Sequence, residues 1–352
     1  MPIERTKVVA RTGRGGLSLI EEALPPLGPH DVLIDVHRSL VSPGTELGGG
    51  WAALRRERDD PKPLEMPRPI GYSNAGVVRS VGADVSKVSV GQRVAAVGAG
   101  YARHAVEAVV PENLVIPLPD AVTFEAGSFA MLAATALHAV RRTRVSLGEY
   151  SAVLGLGLVG QLTAALLRLS GTYVIGWDLL ATRCRTAERM GIDATCAVSD
   201  ADPVEATERF TGGAGLDNAV VAIAGEATSA IGQVERCMKL SPDGHRTGVI
   251  TIVGGIHLDY HGETTNIDYR RASRTGPGYH DEVWERGGDY PGVFVRWTTR
   301  SNIDLCLRLM AEGRLDPAPL VTHTIPIGDC ESRVDALLDD CDAALGVLFA
   351  MR

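Results

Sequence analysis

Residues 151–160 read SAVLGLGLVG, and this stretch decides the fold of the second half of the chain. An apolar strand candidate, SAVL, runs directly into the glycine motif GLGLVG, and LVGQLTAALLRLSG then has the apolar periodicity of a helix. In such a strand–turn–helix the first glycine permits the tight turn, the second lets a pyrophosphate approach the backbone, and the third lets helix and strand pack closely. The sequence therefore predicts that Gly155, Gly157 and Gly160 bind a dinucleotide at the helix N-terminus.

A second apolar strand candidate, YVIGWD, ends in Asp178. This is close to the roughly 20-residue distance at which an acidic side chain binds the adenosine ribose hydroxyls. A carboxylate there repels the 2′-phosphate of NADP, so we expect NAD as the cofactor. Arg183 is a candidate for the adenine or phosphate rim, or else a solvated helix charge. The alternative to the whole interpretation is a glycine-rich turn in which Asp178 caps the following helix.

The pattern of predicted secondary structure changes near residue 122. Residues 7–119 read as short strands broken by turn signals, such as DVLIDVHRSL, and favour a β-rich, barrel-like domain. One long helix is predicted in VTFEAGSFAMLAATALHAVRRT, and strand and helix candidates alternate after it, as in βαβ units with a parallel sheet. We therefore predict an α/β protein. Residues 1–122, completed by a strand–helix–strand in 318–352, form the barrel-like domain, and residues 123–317 form a doubly wound domain.

Composition excludes several classes of protein. The chain has 352 residues, 45% hydrophobic content and a formal net charge of −8, which describes a globular chain rather than a disordered one. Its 35 basic residues form no Lys/Arg block, so we expect no nucleic-acid partner. No stretch reaches the roughly 18 apolar residues that span a bilayer, so we expect no membrane partner and a cytoplasmic location. The six cysteines include no CxxC pair, which argues against a structural zinc or a disulfide framework.

Two further stretches carry a family resemblance that covers nearly the whole chain. Residues 71–94, GYSNAGVVRSVGADVSKVSVGQRV, and residues 101–104, YARH, are similar to the GHExxGxVxxVGxxVxxxxxGxRV pattern and the YAEH strand of the medium-chain dehydrogenase/reductase superfamily. The resemblance implies a GroES-like catalytic domain before and after a Rossmann domain, with the substrate cleft between them. It also implies a homodimer that pairs through the edge strand of the Rossmann sheet.

The chain departs from the zinc-dependent members of this superfamily at each ligand position. The resemblance places Pro43, Tyr72 and Met131 where those relatives carry zinc ligands. Because a catalytic zinc needs about three N, S or O ligands from the protein, we expect no zinc here. SPGTE at 42–46 and GYS at 71–73 are similar to a zinc-free branch that includes bacteriochlorophyllide dehydrogenase and oxidoreductases thought to act on sugars.

Without zinc, polar side chains must stabilise the charge that develops on an alcohol oxygen as hydride leaves its carbon. Tyr72 is the first candidate, provided that its pKa of roughly 10 falls or the phenol acts through a relay; a satisfied core phenol is the alternative. Thr45 matches a relay hydroxyl of the relatives. Glu46 is a base, an orienting group or a salt bridge between domains. His104 lines the cleft or fills a seam of the β domain, and a metal other than zinc on Glu46, His104 or His280 is a further alternative.

Other residues are candidates for contact with the nicotinamide and the substrate. Thr135 matches a small polar residue that relatives place near nicotinamide, or it faces the helix core. The segment 273–296 is dense in aromatic and charged residues, including Tyr279, His280 and Arg296, and suits a polyhydroxylated substrate. The alternative for this segment is a surface loop ordered by a subunit contact.

The expected activity is zinc-independent hydride transfer between NAD and a secondary alcohol or ketone of a polar metabolite, such as a sugar, a cyclitol or a natural-product intermediate. One rival is an NAD(P)H-dependent reductase of an activated double bond or quinone. Relatives of that kind generally use NADPH, which Asp178 opposes. The other rival is a dinucleotide-binding scaffold or sensor without turnover.

Overall fold

The computed structural model describes residues 4–257 and 265–352, and its contacts divide the chain into two compact units. The first unit runs to Ala134 and resumes over Thr275–Arg352, and the second unit spans Thr135–Arg274. Within the described ranges, no helix combines the length and apolarity needed to cross a bilayer.

The chain begins with a strand-rich stretch. Its strands are β1 (Arg5–Arg11), β2 (Leu17–Ala23), β3 (Asp31–Leu40), β4 (Arg68–Pro69), β5 (Ser73–Val81), β6 (Arg93–Val97), β7 (Glu107–Pro111) and β8 (Val115–Pro117). Its helices are α1 (Pro43–Glu46), α2 (Trp51–Asp59), α3 (Phe124–Gly127) and α4 (Ala130–Thr143), with a 3-10 turn at Glu112–Leu114.

Strands and helices then alternate. The elements are β9 (Tyr150–Leu154), α5 (Leu158–Leu169), β10 (Tyr173–Asp178), α6 (Ala181–Arg189), β11 (Ala194–Ala197), α7 (Pro203–Thr211), β12 (Asn218–Val221), β13 (Gly225–Glu226), α8 (Thr228–Cys237), β14 (Thr247–Ile252), β15 (Ile256–His257) and β16 (Asn266–Arg271). The last stretch contains α9 (Glu282–Glu285), α10 (Thr299–Ala311), β17 (Val321–Pro326), α11 (Cys330–Asp339) and β18 (Gly346–Ala350), with 3-10 turns at Ala318–Leu320, Ile327–Asp329 and Cys341–Ala343.

The second unit is a doubly wound parallel sheet. Its described strands lie in the order β11-β10-β9-β12-β14-β16, and every pairing between neighbours is parallel. This order is that of the Rossmann fold, with β9 as the first strand. Strands β9 and β12 are buried almost throughout, because helices cover both faces of such a sheet, so their sequences are nearly continuous apolar runs. The predicted doubly wound fold is confirmed.

The first unit is built around β3. A sheet in the order β17-β18-β3-β5-β6-β8 contains it, and β7 also pairs with β3, while β2, β1 and β4 form a second sheet. Helix α11 and strand β18 pack with the N-terminal strands in one apolar core, to which Val9, Trp51, Val334 and Phe349 contribute. The C-terminal segment therefore returns to this unit as a strand–helix–strand.

The two units differ from the predicted domains at both boundaries. The segment from Thr275 to residue 317 belongs to the first unit, whereas the sequence placed it in the Rossmann domain. Long-range hydrogen bonds explain the difference. The Asn113 side chain donates to the carbonyl of Trp284, and Arg300 donates to the carbonyl of Val115 over 2.7 Å. Neither pairing leaves a local signal in the sequence.

The helix predicted as one long segment is interrupted between α3 and α4. Ser73, at the start of β5, donates a hydrogen bond to the Ser128 carbonyl over 2.6 Å, and the Met131 amide donates to the Ser73 hydroxyl over 3.3 Å. The Ser128 hydroxyl in turn donates to the Glu125 carbonyl over 2.7 Å. These bonds engage backbone groups at the break, so the helix ends and restarts against β5.

Candidate active site

The short helix α1 presents the first group of candidate residues. Pro43 starts it, which suits a residue without an amide hydrogen, and the Glu46 amide donates to the Ser42 carbonyl over 2.9 Å. This single turn, formed by the SPGTE stretch, holds Ser42, Thr45 and Glu46 within a few ångströms of one another. It follows β3 directly, so the end of a central strand fixes its position.

Tyr72 lies against this turn. Its phenol makes side-chain hydrogen bonds with Ser42 and Thr45, and the Glu46 carboxylate acts on it electrostatically. Desolvation, followed by the Glu46 charge, raises the pKa of Tyr72 far above its usual value. The sequence required this pKa to fall if Tyr72 were a base by itself, and that requirement is not met. The phenol instead remains a protonated hydrogen-bonding group, which leaves the relay as its route to proton transfer.

His104 and Glu46 form a buried pair. His104 Nε2 lies 2.6 Å from Glu46 Oε2, and His104 Nδ1 lies 2.8 Å from the Ser39 hydroxyl. The backbone on either side of the ring is fixed as well, because the His104 amide donates to the Ile70 carbonyl over 3.1 Å. Both residues belong to the first unit, so the alternative of a salt bridge between domains is wrong for Glu46. His104 fills the interior of the β-rich unit, the second of its two expected roles.

The candidate substrate residues separate into two groups. Tyr279 lies near Tyr72, whose pKa its phenol also influences, and its hydroxyl accepts a hydrogen bond from the Ala99 amide over 2.8 Å. His280 and Arg296 are exposed. The His280 ring stacks on Tyr279 with 3.9 Å between centroids, and the Arg296 guanidinium lies 4.5 Å above the Trp297 ring. Among the three, Tyr279 is the residue that the structure brings to Tyr72.

The side chains that the resemblance places at the zinc positions of zinc-dependent relatives are poor zinc ligands. Pro43 has no donor atom in its side chain, the Tyr72 phenol stays protonated, and the Met131 thioether is buried. Zinc in proteins takes thiolate, imidazole and carboxylate ligands. Across residues 4–257 and 265–352, no group of three His, Cys, Asp or Glu side chains is arranged to hold a metal ion. The donor set therefore does not fit the catalytic zinc of those relatives.

The glycine motif of the second unit has the geometry of a dinucleotide loop. Gly155 ends β9 with a φ of +87°, a left-handed conformation that favours glycine. A Cβ at Gly160 would lie 1.8 Å from the Gly155 carbonyl oxygen, so only glycine allows α5 to pack so closely on the turn. A Cβ at Gly157 would meet no atom within 4 Å, and this N-cap residue makes no side-chain capping bond. The backbone at the start of α5 is thus open to an anionic ligand.

Asp178 closes this loop at the end of β10. Its carboxylate accepts hydrogen bonds from the Leu156 amide over 2.7 Å and from the Leu180 amide over 2.8 Å, and Arg183 Nη1 lies 3.7 Å from the same group. Each oxygen keeps further acceptor capacity for a ribose hydroxyl. Arg183 is therefore an ion-pair partner of Asp178 rather than only a solvated helix charge. The residues of this loop fit a dinucleotide.

Several residues of these sites escaped the sequence-based prediction. Gln161, one residue beyond the glycine motif, donates to the carbonyls of Leu156 and Arg183 and so ties the loop to α6. Ser39 and Ser42 support His104 and Tyr72. Of Gln161, Ser39 and Ser42, only Ser42 was indicated by the sequence, because it lies within the SPGTE stretch. Thr135 is half-buried on α4 at the start of the second unit, the unit that holds the glycine motif, and its proposed contact with nicotinamide stays a prediction.

Comparison with known proteins agrees with this architecture. Residues 28–120 match the alcohol dehydrogenase GroES-like domain family. Sorbitol dehydrogenase from Mus musculus is 28% identical over 344 residues, which cover 90% of this chain and 88% of the relative. Among solved structures, alcohol dehydrogenase TADH from Thermus sp. ATN1 superposes with a TM-score of 0.76 at 19% identity and covers 98% of this chain and all of its own. The 2R,3R-butanediol dehydrogenase from Bacillus subtilis gives 0.74 at 20% identity and covers 99% and 100%.

Along most of its length the chain is therefore similar to alcohol and polyol dehydrogenases. The α/β fold predicted from the sequence, a GroES-like domain with a Rossmann sheet, is confirmed.

Proposed function

We propose that this protein is an NAD-dependent, zinc-independent dehydrogenase that interconverts a secondary alcohol and a ketone on a polar metabolite, such as a sugar, a cyclitol or a natural-product intermediate. One observation carries the proposal. At Tyr72, where the resemblance places a zinc ligand of the zinc-dependent relatives, the Ser42 and Thr45 side chains and the Glu46 charge act on the phenol. SPGTE and GYS, the stretches that contain these residues, are also the ones that resemble the zinc-free branch.

The cofactor part of the proposal depends on the second unit. A nicotinamide dinucleotide, when bound, accepts or returns the hydride. Gly155, Gly157 and Gly160 would hold its pyrophosphate, and Asp178 would accept hydrogen bonds from the adenosine ribose. A 2′-phosphate at that ribose would lie against the Asp178 carboxylate, which favours NAD over NADP. Sorbitol dehydrogenase and butanediol dehydrogenase, by their names, act on polyols, and a polyol is accordingly the first substrate class to test.

Tyr72 has the central role in the chemistry proposed for this chain. Because its phenol remains protonated, it donates a hydrogen bond to the reacting oxygen and stabilises the negative charge there. Interactions with Ser42 and Thr45 hold the phenol oxygen in one position, so little reorganisation is needed in the transition state. Tyr279 offers an aromatic face next to Tyr72, against which the C–H face of a sugar can stack.

The test is an assay of purified protein with NAD⁺ and NADP⁺ against sorbitol, 2,3-butanediol and a panel of further polyols, monitored by absorbance of the reduced cofactor. We expect turnover with NAD⁺ that survives removal of metals by a chelator. Loss of turnover with the chelator, restored by zinc, would contradict zinc independence. Turnover only with NADPH and a quinone or enone identifies a double-bond reductase, and tight cofactor binding without turnover identifies a scaffold.

We also propose that the protein is a homodimer. Strand β16 stands at one edge of the parallel sheet as described, with β14 on its inner side. An edge strand is a ready template for pairing with a second copy. Light scattering coupled to size-exclusion chromatography is expected to give twice the chain mass, and a monomer at micromolar concentration would remove this part of the proposal.

A further inference from the structure

We propose that Glu46 is the final acceptor of the proton that leaves the substrate hydroxyl, that Tyr72 relays this proton, and that His104 is a positioning residue that holds the Glu46 carboxylate. This inference rests on the proposed dehydrogenase function and assigns the proton path that the function leaves open.

The two oxygens of Glu46 are in different surroundings. Oε2 lies 2.6 Å from His104 Nε2, whereas Oε1 is enclosed and has no hydrogen-bond partner among the described residues. A buried carboxylate oxygen without a donor is unfavourable, because it is no longer hydrated and no hydrogen-bond donor replaces the water. A proton that binds Glu46 Oε1 removes this unfavourable contribution.

Two hydroxyl groups that act on the Tyr72 phenol lie at the turn that carries Glu46. Tyr72 is hydrogen-bonded to Ser42 and Thr45, and Thr45 immediately precedes Glu46 on the α1 turn. The Glu46 charge also acts on the Tyr72 phenol. A hydroxyl accepts one proton while it donates another, so the Ser42 or Thr45 hydroxyl can link Tyr72 with Glu46 by rotating towards Oε1.

His104 keeps the acceptor in place without touching this path. Its ring is fixed on one side by Ser39 at 2.8 Å and on the other by Glu46. Ser39, His104 and Glu46 have the residue types of a hydrolytic triad, but Ser39 is fully buried in β3 and has no access to a substrate. The serine therefore orients the imidazole, and the imidazole orients the carboxylate.

The reaction balances with these groups alone. In oxidation, the C–H bond of the substrate breaks and its electron pair leaves with the hydrogen as hydride to the dinucleotide. The O–H proton passes to the Tyr72 oxygen, the phenol proton passes to Ser42 or Thr45, and the proton of that hydroxyl passes to Glu46 Oε1 as the C=O bond forms. Reduction follows the same path in reverse. After the ketone leaves, the path returns the proton to water at Tyr72.

The decisive measurement is a single turnover of the wild-type protein with NAD⁺ and sorbitol, or the polyol found active in the assay above. Absorbance follows the reduced cofactor and a pH indicator dye follows the proton. If Glu46 stores the proton, its release to solvent lags behind formation of the reduced cofactor. Simultaneous appearance of both signals would overturn the inference. This readout needs no variant and is insensitive to a merely structural role of Glu46.

Kinetic measurements on variants provide a second test of the proton path. Glu46→Gln keeps the shape but cannot take the proton, so we expect kcat to fall about 100-fold or more, with KM and NAD⁺ affinity within about threefold. Glu46→Asp is expected to recover part of the loss. His104→Gln is expected to lower kcat by about tenfold, as fits a residue that acts through Glu46. The matched control is Glu107→Gln, a glutamate of the same unit bonded to Thr6 and Arg79, which is expected to keep wild-type turnover.

The two proposals fail in different ways. No reduced cofactor from the wild-type protein with any alcohol in the panel removes the dehydrogenase function, and this inference with it. Normal turnover of the wild-type protein combined with wild-type kcat for Glu46→Gln removes only the proton path.

Discussion

His104 and Glu46 meet inside the first unit with 2.6 Å between Nε2 and Oε2, and their side chains are only 0% and 4% exposed. Pairs of this kind tie together segments that are distant in sequence. Here β3, α1 and the stretch before β7 are joined through Ser39, Glu46 and His104. The geometry of the candidate active site thus depends on the core of the unit rather than on a surface loop.

The stability of the first unit should depend on this pair. His104→Ala leaves the Glu46 carboxylate buried without its partner, and breaking a buried pair in this way costs about 3–5 kcal/mol in the free energy of unfolding. Urea denaturation followed by circular dichroism measures it. His323→Ala, at a partly exposed histidine on β17, is the control and should change the value by no more than about 0.5 kcal/mol. A loss below about 1 kcal/mol for His104→Ala would contradict the role given to the pair.

The Tyr72 hydroxyl should matter for turnover and not for cofactor binding. Tyr72→Phe removes one donor at the reacting oxygen, which we expect to lower kcat about 100- to 1000-fold while the Kd for NAD⁺ stays within about twofold. Steady-state kinetics and fluorescence titration with the reduced cofactor measure the two quantities. Tyr173→Phe, at an exposed tyrosine of the second unit, serves as the control. Wild-type kcat in the Tyr72 variant would dismiss its role as donor.

Asp178 should set the choice between NAD and NADP. In Asp178→Asn the charge that repels a 2′-phosphate is gone and one charge-assisted bond to the ribose is weakened, so we expect the NAD preference to fall about 10- to 100-fold. The Kd values of both cofactors, measured by calorimetry, give the ratio. Asp193→Asn is a matched control, because Asp193 also accepts from a strand amide, that of Val174, and pairs with an arginine, Arg168. An unchanged ratio in Asp178→Asn would remove the cofactor argument.

The thiols should make the fold sensitive to alkaline pH. Burial raises the pKa of Cys184, Cys237 and Cys330 to about 11 in each case. The unfolded chain releases these protons near pH 9, before the folded chain does, so stability is full below pH 9 and falls as the pH rises towards 11. Thermal unfolding scans between pH 8 and 10.5 are expected to show a falling Tm. All six cysteines are buried and none forms a disulfide, so a thiol reagent at pH 8 should modify them only after denaturation.

The second unit was predictable because its signals are local. The turn at Gly155, the close approach at Gly160 and the acidic end of β10 all follow from residues within one strand–turn–helix–strand, and β10 has the bounds that the sequence indicated. Apolar runs such as NAVV identify buried parallel strands because such strands are covered on both faces.

The first unit and its site were less predictable, because their contacts join distant residues. His104 and Glu46 are 58 positions apart, and Arg300 and Val115 are 185 apart. The residue types at Tyr72, Thr45 and Glu46 drew notice through their resemblance to a family motif, but the pKa of Tyr72 depends on desolvation and on a neighbouring charge, which only the folded chain determines. The boundary at Thr275 was missed for the same reason.

Strand β18 lies between β17 and β3, yet the ribosome makes β18 long after β3. During synthesis the Rossmann sheet can therefore form first, while the edge of β3 that later pairs with β18 is still unpaired. An unpaired strand edge invites pairing with other chains. Nascent chains that do not yet include Gly346 should consequently depend on chaperones that cover this unpaired edge of β3.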